Sequence, residues 1–306
     1  ISSMKNETRY DVVIAGGGPA GLSAALMLDR ARKRVLLCDA DTPRNAKAEQ
    51  VHNFVTRDGT PPSEFRRVAH EQLLEYDNVT SSRERVEDVQ GEEGAFEVTL
   101  AESRVTARRV IVCAGMIDEL PDIPGYRDLW GTSIFQCPYC HGWEVRDQAW
   151  GFWAPAEGAM EWAAFLLGWT RDVVVFTGGQ FPVSNEVRER LTQAGVEIDE
   201  RVIARLNARV DDGSRLETIE FATGERRSRD VLLVRPRQRQ TALVTRLGLE
   251  LDDAGFIRVS EHMATSRAGV FAAGDATTQQ QGAIFAAAAG ARAANMVNHE
   301  LTMPRR

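Results

Sequence analysis

The sequence predicts a two-domain α/β protein, and three observations carry that reading. The chain of 306 residues is about twice the usual domain length. A strand–glycine loop–helix–strand unit stands near its start, in "DVVIAGGGPAGLSAALMLDRARKRVLLCDA". A weaker copy of that unit recurs over residues 149–178. Hydrophobic residues at 43% and charged residues at 26% give the balance of an ordinary globular chain, with enough apolar surface for two cores.

In the first unit, the apolar run Val12 to Ala15 predicts a buried strand. Gly16, Gly18 and Gly21 then supply G-x-G-x-x-G ahead of a helix over Leu22 to Arg30. Gly16 permits a tight turn, Gly18 lets the backbone approach a pyrophosphate, and Gly21 allows the helix to pack close to the strand. The helix N-terminus faces the phosphates. A second strand, Val35 to Cys38, ends at Asp39, which is placed to bind a ribose hydroxyl. The expectation is a Rossmann-like nucleotide site. Near the C-terminus a short strand, Gly269 to Ala273, runs into Gly274 and Asp275, and a small-residue helix begins at about Gly282. Asp275 suits hydrogen bonds from a polyol chain, and the helix start offers unpaired N–H groups. An Asp-capped helix with an Ala-rich packing face is the plainer alternative.

Of the four cysteines, Cys38 and Cys113 stand alone in "RVLLCDA" and "RVIVCAG" and read as buried small hydrophobes. Cys137 and Cys140 form C-P-Y-C, with His141 directly after. That pattern fits c-type haem attachment, half a zinc site, a glutaredoxin-like pair, or a disulfide that exchanges electrons with a flavin. The N-terminal stretch "ISSMKNETRYD" is polar, with Ile1 to Ser3 read as an appended tail before Met4, so the expected location is cytoplasmic. Haem of this type is attached after export, which removes it. Zinc wants four ligands at paired spacings, which the two lone cysteines do not supply, so no metal is expected. A redox pair remains. No run reaches the roughly 18 apolar residues of a membrane span. The net charge of −7 lacks the basic footprint of a nucleic-acid binder. Arg235, Arg237 and Arg239 read as a solvated connector.

"GGGPAGLSAA", "CAG" at Cys113 to Gly115, the C-x-x-C and "GVFAAGDA" stand in the order found in the low-molecular-weight thioredoxin reductase family. The chain resembles that family from Tyr10 onward. The resemblance implies FAD, held by a Rossmann-like domain built from both ends of the chain, residues 4–116 and 244–306. A second domain of the same kind, 117–243, would carry the redox pair. It further implies flavin contacts from Gly16, Gly18, Pro19, Ala20, Gly21, Asp39, Ala40, Arg44, Asn53, Val86, Ala114, Gly115, Gly274, Asp275, Gln281, Gly282 and Ala283. The glutaredoxin reading falls with it, because that motif opens a small domain. A homodimer is implied, and so is a division of labour in which Cys140 faces the flavin and Cys137 meets the substrate. Of the other histidines, only His52, beside Asn53, is expected near the flavin.

In the second copy, Gly16, Gly18 and Gly21 fall on Ala154, Ala156 and Ala159, while Thr177 takes the place of Asp39. Alanine at the last glycine is a permitted variant. The other two methyl groups intrude where a turn or a phosphate needs room, and Pro155 removes a backbone donor. Strand, helix and strand are expected to survive without the nucleotide equipment. Reductases of the family bind NADPH in this domain, with basic residues after its second strand, whereas this chain has "FTGGQF" there. His141 stands where those reductases carry an acid, and an imidazole with an ordinary pKa of about 6.5 suits proton exchange with thiols.

"CPYCHGWE" beside a ruined NADPH motif resembles a branch of the family that oxidises small dithiols to cyclic disulfides and passes the electrons to oxygen. Such enzymes act in holomycin, gliotoxin and romidepsin synthesis, and the bacterial holomycin type is the nearest likeness. The expected function is therefore an FAD-dependent dithiol oxidase. It would close an intramolecular disulfide in a small-molecule natural-product dithiol and yield hydrogen peroxide. The alternative is a thioredoxin-reductase-like disulfide reductase using NADPH or another donor. A redox-sensing flavoprotein without turnover is the rival from another class.

Overall fold

The computed structural model describes residues 9–303. The reading of Ile1 to Ser3 as a tail, and of Met4 as the start of the first domain, lies outside them. The chain divides into two compact units. The first holds the residues up to Ala46, Asn53–Ile117 and those from Gln238 onward, and the second holds Lys47–His52 and Asp118–Arg237. The boundaries depart from those expected at 117 and 244, for local reasons. Gln240 is tied into the first unit, its amide donating to the Gly255 and Ala276 carbonyls at 2.8 and 3.0 Å. Lys47 is tied into the second, its Nζ donating to the Arg127 carbonyl at 2.7 Å.

In the first unit, strands Val79–Ser82, Val35–Cys38, Arg9–Ala15 and Arg104–Val112 lie side by side in that order, all parallel. Arg104–Val112 serves two neighbours: its start pairs antiparallel with Ala95–Leu100 and its end pairs parallel with Val270–Ala272. The opening strand starts ahead of its apolar run, because Arg9 and Tyr10 already pair with Thr106 and Ala107. Side chains alternate across the sheet. Val12 and Ile14 pack under the helices Pro19–Arg30 and Ala283–Thr302, while Val13 and Ala15 join a second core with Val86, Phe96 and Leu243. Burial on both faces explains an apolar run in place of an alternating one. Helix Pro19–Arg30 begins earlier than expected, since proline suits the first helical position.

The second unit is a five-stranded parallel sheet in the order Glu197–Asp199, Val173–Phe176, Trp150–Trp153, Val231–Val234, Ile134–Phe135. A three-stranded antiparallel sheet, Ile203–Ala208, Leu216–Phe221 and Arg226–Ser228, belongs to the same unit. The two strands of the degenerate copy are present. Its helix is cut down to a 3-10 turn, Glu157–Ala159, and a short helix, Trp162–Leu166. Pro155 disfavours helical backbone at Ala154, and Ala156 remains extended at φ −163° and ψ 164°, so the helix starts late.

Candidate functional site

The first unit forms a cradle around its glycine loop. Gly16 has φ +115°, and a Cβ there would lie 2.2 Å from the Cys113 carbonyl oxygen. The turn therefore closes directly on the Cys113–Ala114–Gly115 segment. Around Gly18 nothing stands within 4 Å of where a Cβ would be, and the helix it opens has no side-chain cap. Open space in front of unpaired N–H groups is what a pyrophosphate needs. Asp39 lies against this loop, 2.3 Å from the position of a Cβ on Gly17. One of its carboxylate oxygens accepts from the Asp41 N–H at 3.0 Å and the other is held by Arg66. Arg66 carries no sequence motif, and the sequence reading missed it.

The far end of the chain closes the cradle. A Cβ on Gly274 would meet the Ala20 methyl at 3.0 Å, and one on Gly290 would meet the Ala20 carbonyl oxygen at 1.9 Å. Small residues thus let the two helices cross at contact distance. Arg44 Nη1 lies 3.2 Å from Asp275 Oδ2 and donates to Gln281 Oε1 at 2.6 Å, so expected cofactor residues from opposite ends of the chain meet. Gln281 also exchanges amide hydrogen bonds with Gln238, at 2.8 and 3.1 Å, a residue hidden in the basic connector. Gly282 opens the long helix without a side-chain cap, ahead of Ala283. Val86 is buried in the core and offers only its backbone. Ala40 follows Asp39 at the strand end. Asn53 sits at φ 63° with its N–H donated to Asp58 at 2.8 Å. All the expected cofactor residues belong to the first unit. The cradle fits a dinucleotide.

The redox pair belongs to the second unit. Cys137 caps the short helix Pro138–His141, and the two sulfurs lie 2.7 Å apart. Sharing a proton with Cys140 holds the Cys137 thiol down to about 7 against the opposing effect of burial. The backbone at Cys140 and Tyr139 and the charge of Arg235 add to the lowering. Cys38 and Cys113 show the contrast, since burial pushes both up to about 12, with Glu84 adding to the effect at Cys38. The His141 ring lies flat on Phe135, centroids 4.2 Å apart and planes 9° apart. Among the described residues, neither of its buried ring nitrogens has a hydrogen-bond partner in good geometry. Burial, then the charge of His52, holds its pKa down to about 4, and the Cys137 backbone opposes them. His141 is thus a neutral imidazole near pH 7, a base in waiting. His52, expected near the flavin, groups with this unit, its Nε2 3.4 Å from Glu144 Oε1.

The tryptophans divide by role. Trp150 and Trp153 are core, whereas Trp143 is 67% exposed with Arg146 over its ring. Tyr139 is 60% exposed, its ring edge-on to Trp169 at 5.4 Å.

The second glycine-loop position is filled. Ala154 is fully buried, and its N–H donates to the Phe176 carbonyl. Glu157 reaches from this loop to the next, where its carboxylate accepts the Ser184 N–H at 2.5 Å. That N–H and the Ser184 hydroxyl hold the Glu157 carboxyl below the usual range, so it stays charged. Both loops leave the carboxyl ends of neighbouring parallel strands, the crevice where such sheets bind phosphates. The arginines that follow are paired with acids: Arg188 with Glu200 and Arg190 with Glu161, at 2.7 and 2.6 Å.

A disulfide-exchanging pair on one nucleotide-type unit and a dinucleotide cradle on another define a flavin-dependent disulfide oxidoreductase. Residues 10–293 match the family described as Pyridine nucleotide-disulphide oxidoreductase, and the chain belongs to it. The thioredoxin-reductase type of this family binds FAD, and FAD is the cofactor this cradle serves. A probable thioredoxin reductase of Arthroderma benhamiae is 30% identical, the match covering 98% of this chain and 82% of that protein. Among solved structures, an oxidoreductase from Agrobacterium tumefaciens superposes with a TM-score of 0.90 at 33% identity, covering 97% of this chain and all of that one. HlmI superposes at 0.88 with 36% identity, covering 98% and 94%. No helix among the described residues is long and apolar enough to cross a membrane.

Proposed function

We propose that this protein is an FAD-dependent dithiol oxidase that closes an intramolecular disulfide in a small-molecule dithiol, with oxygen as the final acceptor. The observation that carries the proposal is the filled second loop beside an intact C-x-x-C-H. Alanines stand at two of the glycine positions of this loop, Ala154 is buried, and the Glu157 carboxylate held by Ser184 would repel phosphate there. A lost charge-assisted contact costs about 1.5–3 kcal/mol, so two or three such losses weaken binding by orders of magnitude. The pair nearby needs only an accessible thiol to react.

A substrate thiolate attacks Cys137 Sγ, breaking the Cys137–Cys140 bond and releasing Cys140 as thiolate. The second substrate thiol attacks its neighbour's sulfur, the ring disulfide forms, and Cys137 leaves. A thiol with a pKa of about 7 is a good leaving group at neutral pH. Neutral His141 takes the thiol proton and returns it as the cysteines are recharged. Gly16, Gly18, Asp39, Arg44, Asp275 and Gln281 would hold FAD, which supplies a two-electron acceptor that oxygen regenerates with release of hydrogen peroxide. One dithiol and one oxygen thus give one cyclic disulfide and one peroxide.

The test is anaerobic mixing of the yellow holoprotein with NADPH and, separately, with a small dithiol. Bleaching by the dithiol alone, then one peroxide per disulfide on admitting air, is expected. Rapid bleaching by micromolar NADPH would favour the second reading, a disulfide reductase, which the name of the Arthroderma relative supports.

A further inference from the structure

The acid after strand Val35–Cys38 is held from three sides. Asp39 lies against the glycine loop, since a Cβ on Gly17 would stand 2.3 Å from its Oδ2 and 2.4 Å from its Cγ. Gly17, outside the spaced glycines of the motif, thus has its own reason to lack a side chain. Asp41 folds back on the same carboxylate. Its N–H donates to Asp39 Oδ1 at 3.0 Å, and its φ of 54° is a left-handed backbone that residues other than glycine seldom adopt. Arg66 joins the two acids, its Nη2 bonded to Asp39 Oδ2 and 2.9 Å from Asp41 Oδ1. The Arg66 side chain is only 15% exposed. Among the described residues, its buried Nε has no hydrogen-bond partner in good geometry. A buried donor left unmet by the protein calls for an acceptor from elsewhere.

The next residue shows what an ordinary helix pair looks like. Arg67 is 54% exposed and is spent on Glu64 and Glu71 of its own helix, Pro62–Leu73. Arg66 reaches instead across 27 positions of sequence to the strand end.

The charge of the cofactor gives this reach a purpose. FAD brings a pyrophosphate to the glycine loop, and Asp39 sets a carboxylate against that same loop. Like charges at short range repel, and more strongly away from bulk water. Arg66 cancels the charge of Asp39. Together with the Asp41 N–H it also fixes the carboxylate, and each oxygen keeps a further lone pair for a hydroxyl.

We propose that Arg66 is a positioning residue for the adenosine end of FAD. It locks Asp39 beside Gly17 and neutralises it, so that the carboxylate serves the ribose while the loop takes the pyrophosphate. The role requires FAD alone and is the same whether dithiols or NADPH supply the electrons.

The test is fluorescence titration of FAD-free protein with FAD, in the parent and in Arg66→Gln, Asp39→Asn, the double variant, Arg66→Lys and Arg67→Gln. Arg66→Gln is expected to raise the Kd about tenfold or more, the size of a lost charge-assisted contact. In the Asp39→Asn background the same change should cost less than about threefold, because the charge it answers is gone. Arg66→Lys, which keeps the charge, should bind within about threefold of the parent, and Arg67→Gln should match it. FMN, which lacks the adenosine, should bind the parent and Arg66→Gln alike, whereas a merely structural role would weaken both flavins together. Unchanged FAD binding in Arg66→Gln overturns the proposal. So does an equal loss with and without the Asp39 carboxylate, or a loss for FMN as large as that for FAD. If Arg66→Gln fails to fold, Arg66→Met, also uncharged, is read by the same rules.

Discussion

Two environments give one residue type two characters in this chain. Cys38 and Cys113 are buried in apolar strands, and desolvation of the thiolate pushes both up to about 12, so neither is a nucleophile near neutral pH. Cys137 sits at a helix start, its sulfur stabilised by the neighbouring thiol, two backbone positions and Arg235, and it falls to about 7. The thiolate fraction of Cys137 therefore rises with pH through about 7 and levels off a unit above it. In the reduced protein, iodoacetamide is expected to label Cys137 first, with a rate that follows that curve, while Cys38 and Cys113 stay unlabelled until the protein unfolds. The largest contribution is the Cys140 thiol. Cys140→Ala should accordingly move the midpoint towards the ordinary value of about 8.5 and slow labelling at pH 7 roughly tenfold. Mass mapping that found Cys140 labelled first, with the low midpoint, would exchange the roles assigned to the two sulfurs.

At the scale of elements, the glycines of the first unit serve two different masters, the fold and the ligand. Gly290 lies where helix Ala283–Thr302 crosses helix Pro19–Arg30, and any Cβ there would overlap the Ala20 carbonyl oxygen. Gly18 has ordinary φ, −75°, and empty space around it. The two alanine substitutions should therefore separate cleanly. Gly290→Ala is expected to cost about 1–3 kcal/mol of stability with or without FAD, as overpacking does. Gly18→Ala should leave the melting of the FAD-free protein unchanged and weaken FAD binding at least tenfold, read by flavin fluorescence on titration. Equal destabilisation of both FAD-free variants would mean that Gly18 packs against protein, and the phosphate role given to it would fail. The same contrast explains why the first unit was legible in the sequence. Each backbone demand there, a turn at Gly16 or a close approach at Gly21, is met by a glycine at fixed spacing. The shortened helix of the second unit was misjudged because an apolar period survives in "AMEWAAFLL", while Pro155 and the extended Ala156 hold back its start.

Across the whole molecule, one fold is used twice, with glycines at the first phosphate loop and alanines at the matching positions of the second. Local motifs announced the first: the glycine loop, Asp39 and Gly274–Asp275 are all contiguous signals. Partners made only by folding stayed hidden, such as Arg66 on Asp39, Gln238 on Gln281, and His52 on Glu144. The second loop was half legible, since its lost glycines can be read but the Glu157–Ser184 hydrogen bond beside them cannot. A ligand that binds only the folded state stabilises it by an amount set by its concentration over its Kd, about 2.7 kcal/mol at a hundredfold excess. For a chain of this size that raises Tm by several degrees. FAD added to FAD-free protein should therefore shift the melting curve upward. On the dithiol-oxidase proposal, millimolar NADPH added to the FAD-loaded protein should shift it by less than about one degree, because weak binding at that concentration adds little stability. The measurement needs no substrate and no turnover. A clear upward shift with NADPH, lost when the 2′-phosphate is absent, would show that the second loop binds the dinucleotide, and the chain would then have the electron supply of a reductase.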